Sequence, residues 1–194
     1  MNLIYKRLLR PFLFSLEAEN AHDWACRCLS MTEHSALSRK LIKLISSQKS
    51  SDINLFGLSF PNHLGLAAGM DKNGAFPKTF ASLGFGHVEI GTMTPRPQSG
   101  NPKLRLFRYP KYSALVNRMG FNNDGVNSII ERIEKIYPKG KRPVPLGINI
   151  GKGKDTPIEA AQDDYIYSLN KCFKQADYIT INISSPNTPN LRDL

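Results

Sequence analysis

Four short stretches concentrate the residue types that bind and transform small polar molecules. They are Gly69-Met70-Asp71-Lys72-Asn73-Gly74, Gly91-Thr92-Met93-Thr94-Pro95-Arg96-Pro97, Asn149-Ile150-Gly151-Lys152-Gly153 and Asn182-Ile183-Ser184-Ser185-Pro186-Asn187-Thr188-Pro189. Between them they offer backbone that can approach a ligand closely, amides and hydroxyls that both donate and accept, a cation at Lys72 and a hydroxyl at Ser185. One such stretch is what any turn requires. Four of them, each at the carboxyl end of an apolar run, favour one shared binding site.

The apolar runs that must position these stretches are His63–Ala68, His87–Ile90, Val144–Ile150 and Tyr178–Ile183, each of strand length. Helical spacing fills the intervals at about 74–83, 123–137 and 158–175. Strands alternating with helices predict right-handed parallel β/α units, and in a parallel β/α barrel the carboxyl ends of the strands share the face that holds active sites. A small hairpin over Asn54–Phe60, turning at Gly57, precedes the first unit. Between Thr92 and the second helix lies a long excursion, Leu104–Tyr109 and Ala114–Arg118, which returns at Asn117-Arg118-Met119-Gly120-Phe121-Asn122-Asn123. Connections this long are commonly lids or binding loops.

Residues 1–50 follow a different period. Leu3, Ile4, Leu8, Leu9, Phe12, Leu13 and Leu16 fall near helical spacing, broken at Pro11. A second helix runs through Ala18, Ala21, Trp24, Ala25, Cys28 and Leu29, a third through Leu37, Leu41, Ile42, Leu44 and Ile45, and Ser46–Ser51 is a polar linker. This segment reads either as a helical cap on the main body or as an amphipathic element whose Lys6, Arg7 and Arg10 face lipid headgroups. No apolar run reaches the roughly 18 residues of a transmembrane helix. Arg10 and Pro11 interrupt the stretch a signal peptide would need.

The charge of +10, from 26 Lys+Arg against 16 Asp+Glu, suggests an anionic partner without naming it. Six basic residues and no acid fall within residues 95–119, either as a solvated face or as a device that draws an anion toward the site. Several classes fail. The dinucleotide fingerprint has Glu89 where its third glycine belongs, and the phosphate loop has Gly153 in place of Ser or Thr. The four His and three Cys show no metal-ligand spacing, three cysteines make no paired framework, and no nucleic-acid module accompanies the basic charge. A nucleotide or flavin held by backbone and amide groups fits what is left.

In order and spacing, Gly65-Leu66-Ala67-Ala68-Gly69-Met70-Asp71-Lys72-Asn73-Gly74, Glu89-Ile90-Gly91-Thr92-Met93-Thr94-Pro95-Arg96-Pro97, Asn117 to Asn123 and Asn182 to Thr188 closely resemble the membrane-associated, quinone-dependent class of dihydroorotate dehydrogenase. The resemblance runs from about residue 17 to the C-terminus. It implies a (β/α)8 TIM barrel of the α/β class that binds FMN and oxidises dihydroorotate to orotate in pyrimidine synthesis, passing electrons to a membrane quinone. Ser185 is then the base for the C5 proton while hydride leaves C6 for the flavin. Soluble members carry Cys there, so Ser185 and the helical extension select the quinone class. Ala68, Gly69, Met70, Asp71, Lys72, Thr92, Asn149 and Asn182 are implied to line the flavin. Lys72 is also implied to meet the substrate carboxylate, with Asn117, Asn182 and Asn187 on the orotate ring and the backbone of Arg118, Met119, Gly120 and Phe121 closing around it. The implied location is peripheral, on the cytoplasmic side of a bacterial inner membrane, with residues 1–50 meeting anionic lipid and giving access to quinone and residues 51–194 forming the barrel portion; no nucleic-acid partner is implied.

Orotate is a planar anion rich in amide-like groups, which suits asparagines along its edge and a lysine at its carboxylate. A serine is a poor base unless its own proton can leave, so Ser185 needs a polar relay or a water path. Two departures from the family pattern are Gly153, where Asn is usual, and Asn190, where Gly is usual. Four strands and three helices make only about the first half of a barrel, which usually needs roughly 250 residues. The 194 residues alone are therefore expected to bind FMN weakly and turn over little substrate. Alternatives are a non-catalytic fragment or another FMN barrel acting on pyrimidines.

Overall fold

A computed structural model describes residues 3, 5–46 and 51–185; Asn187 and Asn190 lie outside the described residues. A π-helical turn over Tyr5–Leu9 leads into α1 (Arg10–Ser15), with Pro11 in its first turn, then α2 (Ala18–His34) and α3 (Ala36–Ser46). The hairpin β1 (Ile53–Leu55) and β2 (Leu58–Phe60) follows. The repeating units are β3 (Gly65–Leu66) and α4 (Pro77–Ser82), β4 (His87–Met93), the excursion strands β5 (Leu106–Tyr109) and β6 (Ala114–Asn117), α5 (Val126–Ile136), β7 (Leu146–Ile150), α6 (Ala161–Cys172) and β8 (Tyr178–Ile181). Strands β3, β4, β7 and β8 form one parallel sheet in that order. This is the alternation expected of the first half of a β/α barrel.

Strand alternation gives the sheet two faces. Val88, Ile90, Leu146, Ile148 and Ile150 point to the helical side and pack with Phe80 of α4, Val126, Ile129 and Ile133 of α5 and Cys172 of α6, all buried. The spacing i, i+3, i+4, i+7 of Val126, Ile129, Ile130 and Ile133 is what turns one stripe of α5 onto the sheet. The opposite face carries His87, Glu89, Asn149, Tyr178 and Thr180. Its lower row is aromatic: Phe60 of the hairpin meets His87 edge-on at 5.6 Å, and His87 meets Tyr178 at 6.0 Å. Two glycines make room for these rings. A Cβ on Gly147 would lie 2.2 Å from the Tyr178 ring, and one on Gly65 would lie 1.8 Å from His87.

The strands and helices are mostly a few residues shorter than the sequence reading, and three boundaries have a specific cause. The first strand, expected over 63–68, shrinks to Gly65–Leu66 because the Leu64 N–H is taken by Asn62 Oδ1 at 2.8 Å. The helix expected from residue 74 starts at Pro77, since the Ala75 and Phe76 N–H groups donate to the Asp71 carboxylate at 2.7 and 2.8 Å. The second strand runs on to Met93, its end anchored by Gly91 N–H to the Asp71 carbonyl and Gly151 N–H to the Met93 carbonyl.

The helical segment is fastened to the sheet body at both ends of α2. Glu19 makes a two-oxygen contact with Arg105 of the excursion, the closest approach being 2.9 Å, and both residues are buried. Fourteen residues on, or roughly 21 Å along the helix, buried Glu33 accepts from Lys78 N–H at 3.2 Å and from Thr79 N–H and Oγ1 at 2.8 Å each. Helix α4 has no side-chain cap of its own at Phe76, so Glu33 supplies from α2 the anionic cap its first turn lacks. Arg108 donates to the Leu13 and Leu16 carbonyls and lies 4.8 Å above the Phe14 ring, and Arg118 donates to the Leu104 carbonyl. With Lys103, whose Nζ lies 3.4 Å from Glu19 Oε1, four of the six basic residues between 95 and 119 thus hold the excursion together or bind it to the helical segment.

Replacing Glu33 by Ala leaves the Lys78 and Thr79 N–H groups without their acceptor and the buried Thr79 hydroxyl with only the longer contact to the Leu29 carbonyl, at 3.4 Å. Urea denaturation should show a loss of about 2–4 kcal/mol, with a smaller loss for Glu33→Gln. A loss below about 0.5 kcal/mol, the level of an ordinary surface change, would contradict this role.

Candidate active site

The parallel register brings the loops after β3, β4, β7 and β8 to one rim. There Thr92 Oγ1 donates to Asn149 Oδ1 at 2.6 Å, and Asn182 Nδ2 donates to Thr92 Oγ1 at 2.9 Å. Asn149 Nδ2 donates to Glu89 Oε1 at 2.9 Å, and Tyr178 and Thr180 donate to Glu89 Oε2 at 3.1 and 3.0 Å. Asn182 Oδ1 accepts from both the N–H and the hydroxyl of Ser184. Three of the residues singled out from the sequence, Thr92, Asn149 and Asn182, thus form one hydrogen-bonded unit. Ser185 follows it directly, half-buried.

The loop after β3 enters the same rim. Gly69 N–H donates to the Gly91 carbonyl at 2.8 Å. Gly69 has φ +107°, and nothing lies within 4 Å of where its Cβ would be, so bare backbone faces open space beside Ala68 and Met70. That is room for a flat ligand to lie against the chain. The Asp71 carboxylate is turned inward to Ala75 and Phe76, so this residue shapes the loop and keeps its charge away from the rim. Lys72 is half-buried with Nζ 3.6 Å from Met119 Sδ, and burial pushes its pKa down. No carboxylate forms a salt bridge with Lys72 among the described residues. A cation so placed suits an anionic ligand.

The Lys72–Met119 contact ties the returning excursion to the rim. Asn117 Oδ1 accepts from Met119 N–H at 2.9 Å. The carbonyls of Arg118, Met119, Gly120 and Phe121 accept from Asn101 Nδ2, Asn101 N–H, Gln98 Nε2 and Asn123 Nδ2 respectively. The Arg118 guanidinium points to Leu104 and the Phe107 ring. This stretch is therefore shaped by its own contacts, and its backbone carbonyls are already engaged. At Gly153, the N–H donates to Asp164 Oδ2 at 2.8 Å, which binds this turn to α6.

Sequence reasoning missed Glu89, Tyr178 and Thr180. The signal was there in the strand period: an acid at 89 between Val88 and Ile90 has to face away from the apolar core. It also missed His22 and Cys26 on α2, 3.5 Å apart, where burial pushes the imidazole down and the nearby Lys72 charge adds to the effect. A separate cavity of about 380 Å³ lies between α1 and the excursion, lined by Phe14, Leu16, Leu104, Leu106, Phe107 and Arg108 among others; no rim residue lines it.

Burial pushes the Asp71 carboxyl up to about 6 from 3.8, against the two N–H donors that pull it down. Its contribution to stability is therefore fullest below about pH 4 and is lost as pH rises through 6. In urea titrations the stability of the wild type relative to Asp71→Asn should fall by up to about 3 kcal/mol between pH 4 and pH 7. A flat difference would contradict the burial.

The comparisons agree with this geometry. The family model described as dihydroorotate dehydrogenase matches residues 50–194. A curated dihydroorotate dehydrogenase (quinone) of Stenotrophomonas maltophilia is 53% identical over 96% of this chain and 52% of its own length, and one of Acinetobacter baylyi is 51% identical over 96% and 53%. The chain thus spans about half the length of the curated relatives it matches. The crystal structure of DHODH from Eimeria tenella in complex with ferulenol has a TM-score of 0.69 at 40% identity, over 82% of this chain and 46% of that one; the ligand-free form gives the same score and identity, over 48% of its chain. With the strand order, the rim residues and these matches in agreement, the chain belongs to the dihydroorotate dehydrogenase family.

Proposed function

We propose that this chain contributes the first half of a quinone-dependent dihydroorotate dehydrogenase, and that the rim holds FMN and dihydroorotate. The observation that carries this reading is the joining of Thr92, Asn149 and Asn182 in one hydrogen-bonded unit beside the bare backbone of Gly69 and the Lys72 cation. The open backbone at Gly69 suits a flat ring system, and the amides and hydroxyl suit its polar edge. FMN, when bound, supplies the two-electron chemistry by accepting a hydride.

The chain's own residues do the rest. Lys72 pairs with the substrate carboxylate in a partly apolar setting, where a charge-assisted hydrogen bond counts for more than in water. Asn117 and Asn182 fix the ring by its amide edge, with Asn187 in the same role. Ser185 receives the C5 proton, and because an alcohol is a weak base it hands its own proton onward through a polar path. The 194 residues alone would bind FMN weakly and turn over little substrate.

Residues 1–50 form the membrane-facing and quinone-access part in this reading. Leu37, Leu41, Leu44 and Ile45 of α3 are all more than half exposed beside Lys40 and Lys43, as are Leu3 and Leu8 near Lys6 and Arg7. Apolar side chains flanked by cations suit the surface of an anionic bilayer on the cytoplasmic side of the inner membrane. No described helix is long and apolar enough to cross one. The cavity beside Phe14 and Phe107 suits an apolar electron acceptor.

With the complete enzyme loaded with FMN, dihydroorotate should drive reduction of a quinone analogue, and Ser185→Ala should lose at least about 100-fold in rate while still binding orotate. Unchanged turnover would remove Ser185 from the reaction, and no dihydroorotate-dependent reduction in the wild type would refute the function. Leu41→Gln with Leu44→Gln should abolish binding to anionic vesicles and leave flavin reduction by dihydroorotate intact. This pair is more informative than deletion of residues 1–45, which would also strip the Glu33 cap from α4. Undiminished vesicle binding would exclude α3 as the lipid-facing element.

A further inference from the structure

We propose that Glu89 is a positioning residue for the flavin site: its carboxylate sets which way the Asn149 amide faces and, through Asn149, the hydrogen-bond direction of Thr92 and Asn182. The inference rests on the reading above, in which those three residues hold FMN and substrate.

The direction follows from donor and acceptor chemistry. An ionised carboxylate only accepts, so the amide facing it must present its NH2 group. Asn149 does so, with Nδ2 2.9 Å from Glu89 Oε1, and its Oδ1 is thereby turned to Thr92. The Thr92 hydroxyl has one proton and donates it to Asn149 Oδ1 at 2.6 Å, so towards Asn182 it can only accept, from Nδ2 at 2.9 Å. Asn182 Oδ1 is then the atom that receives the Ser184 N–H at 3.1 Å and the Ser184 hydroxyl at 3.2 Å. An acceptor-only group starts the chain and a backbone N–H, which can only donate, ends it. Every intermediate group has one orientation consistent with both ends.

The surroundings of Glu89 reinforce this. Its second oxygen accepts from Tyr178 and Thr180 of β8. Burial and the Glu89 charge together push the Tyr178 phenol up, so it remains a donor. Thr92 and Asn149 are both buried, where an amide facing the wrong way would set like groups against each other at the full cost of desolvation. Asn149 uses one of its two N–H groups and one of its two lone pairs in the chain. The other N–H and lone pair have their direction fixed by Glu89, and they are what Asn149 can present to a ring edge. Glu89 touches neither flavin nor substrate in this scheme and acts only through Asn149.

A plain structural role, in which Glu89 merely rivets β4 to β7 and β8, makes a different prediction and can be separated by a double-mutant cycle. FMN affinity of the complete enzyme is measured by flavin fluorescence quenching, and the visible absorbance of bound flavin is recorded. Glu89→Leu should weaken FMN about tenfold, a change of about 1.4 kcal/mol, and shift the flavin absorbance. In an Asn149→Ala background the same substitution should cost less than about twofold. Glu89→Gln, which can keep one oxygen on Asn149 Nδ2, should lose about threefold or less. If Glu89→Leu does not fold, the cycle is run with Glu89→Gln, whose smaller loss should likewise vanish in the Asn149→Ala background. Equal losses in both backgrounds would show that Glu89 acts independently of Asn149, and unaltered affinity in Glu89→Leu would show that it does not act at all; either overturns the proposal. A wild type that does not bind FMN would instead refute the reading beneath it.

Discussion

The alternation of side chains in a parallel sheet is the constraint on which the rest of this structure depends. With β3, β4, β7 and β8 paired in parallel, alternate residues of each strand are committed to the helices and to the opposite face, the one change of phase falling in β4 between Ile90 and Met93. Val88, Ile90, Leu146, Ile148 and Ile150 fill the apolar layer against α4, α5 and α6. The same register pairs Glu89 with Gly147 and Gly147 with Tyr178, and Asn149 with Thr180, so that Glu89 reaches Asn149, Tyr178 and Thr180 below the rim formed by Thr92 and Asn182. A one-residue slip in β7 would send Asn149 into the core and Ile148 to the rim. The same period that builds the core thus places Glu89, Asn149 and Asn182, and the irregularity in β4 between Ile90 and Met93 brings Thr92 to them.

The helical segment is held to this sheet by charge. Glu19 and Glu33, fourteen residues apart on α2, are both buried and both engaged, one by Arg105 and Lys103 and the other by the first turn of α4. Removing one partner from such a contact leaves an uncompensated buried charge, so the arrangement is hard to loosen one residue at a time. The consequence is that α2 is a fixed neighbour of Lys72, with His22 and Cys26 in its vicinity, while α3 beyond it turns leucines outward. The choice between a cap and a lipid-facing element divides along the chain: α2 has the fastened geometry of a cap, and α3 carries the exposed apolar face.

Much of this was legible in the sequence. The four strands, three intervening helices and the excursion hairpin all follow from period and turn chemistry, and the rim residues Thr92, Asn149 and Asn182 stood out because they lie in the glycine- and amide-rich stretches at the carboxyl ends of the apolar runs. What was not legible depends on partners far apart in the chain. Nothing near Asp71 says that its carboxylate turns inward to Ala75 and Phe76, and nothing near Glu33 says that it caps a helix forty-five residues on. The basic residues of the excursion left two readings open, solvated face or ligand attraction; Arg105, Arg108 and Arg118 instead serve internal contacts that composition cannot show. Glu89 was visible as an acid in an apolar strand, but its connection to Asn149 requires the β4–β7 register.

The most direct measurement of the central claim, that the rim formed by these four strand ends is the flavin site, is a crystal structure of the complete enzyme grown with FMN and orotate. The expected result is a flavin ring lying along the backbone of Gly69 and Met70 with its polar edge within hydrogen-bonding distance of Lys72 and Asn149, and orotate between the ring and Ser185. Flavin bound elsewhere, or a rim left empty at saturating FMN, would contradict it.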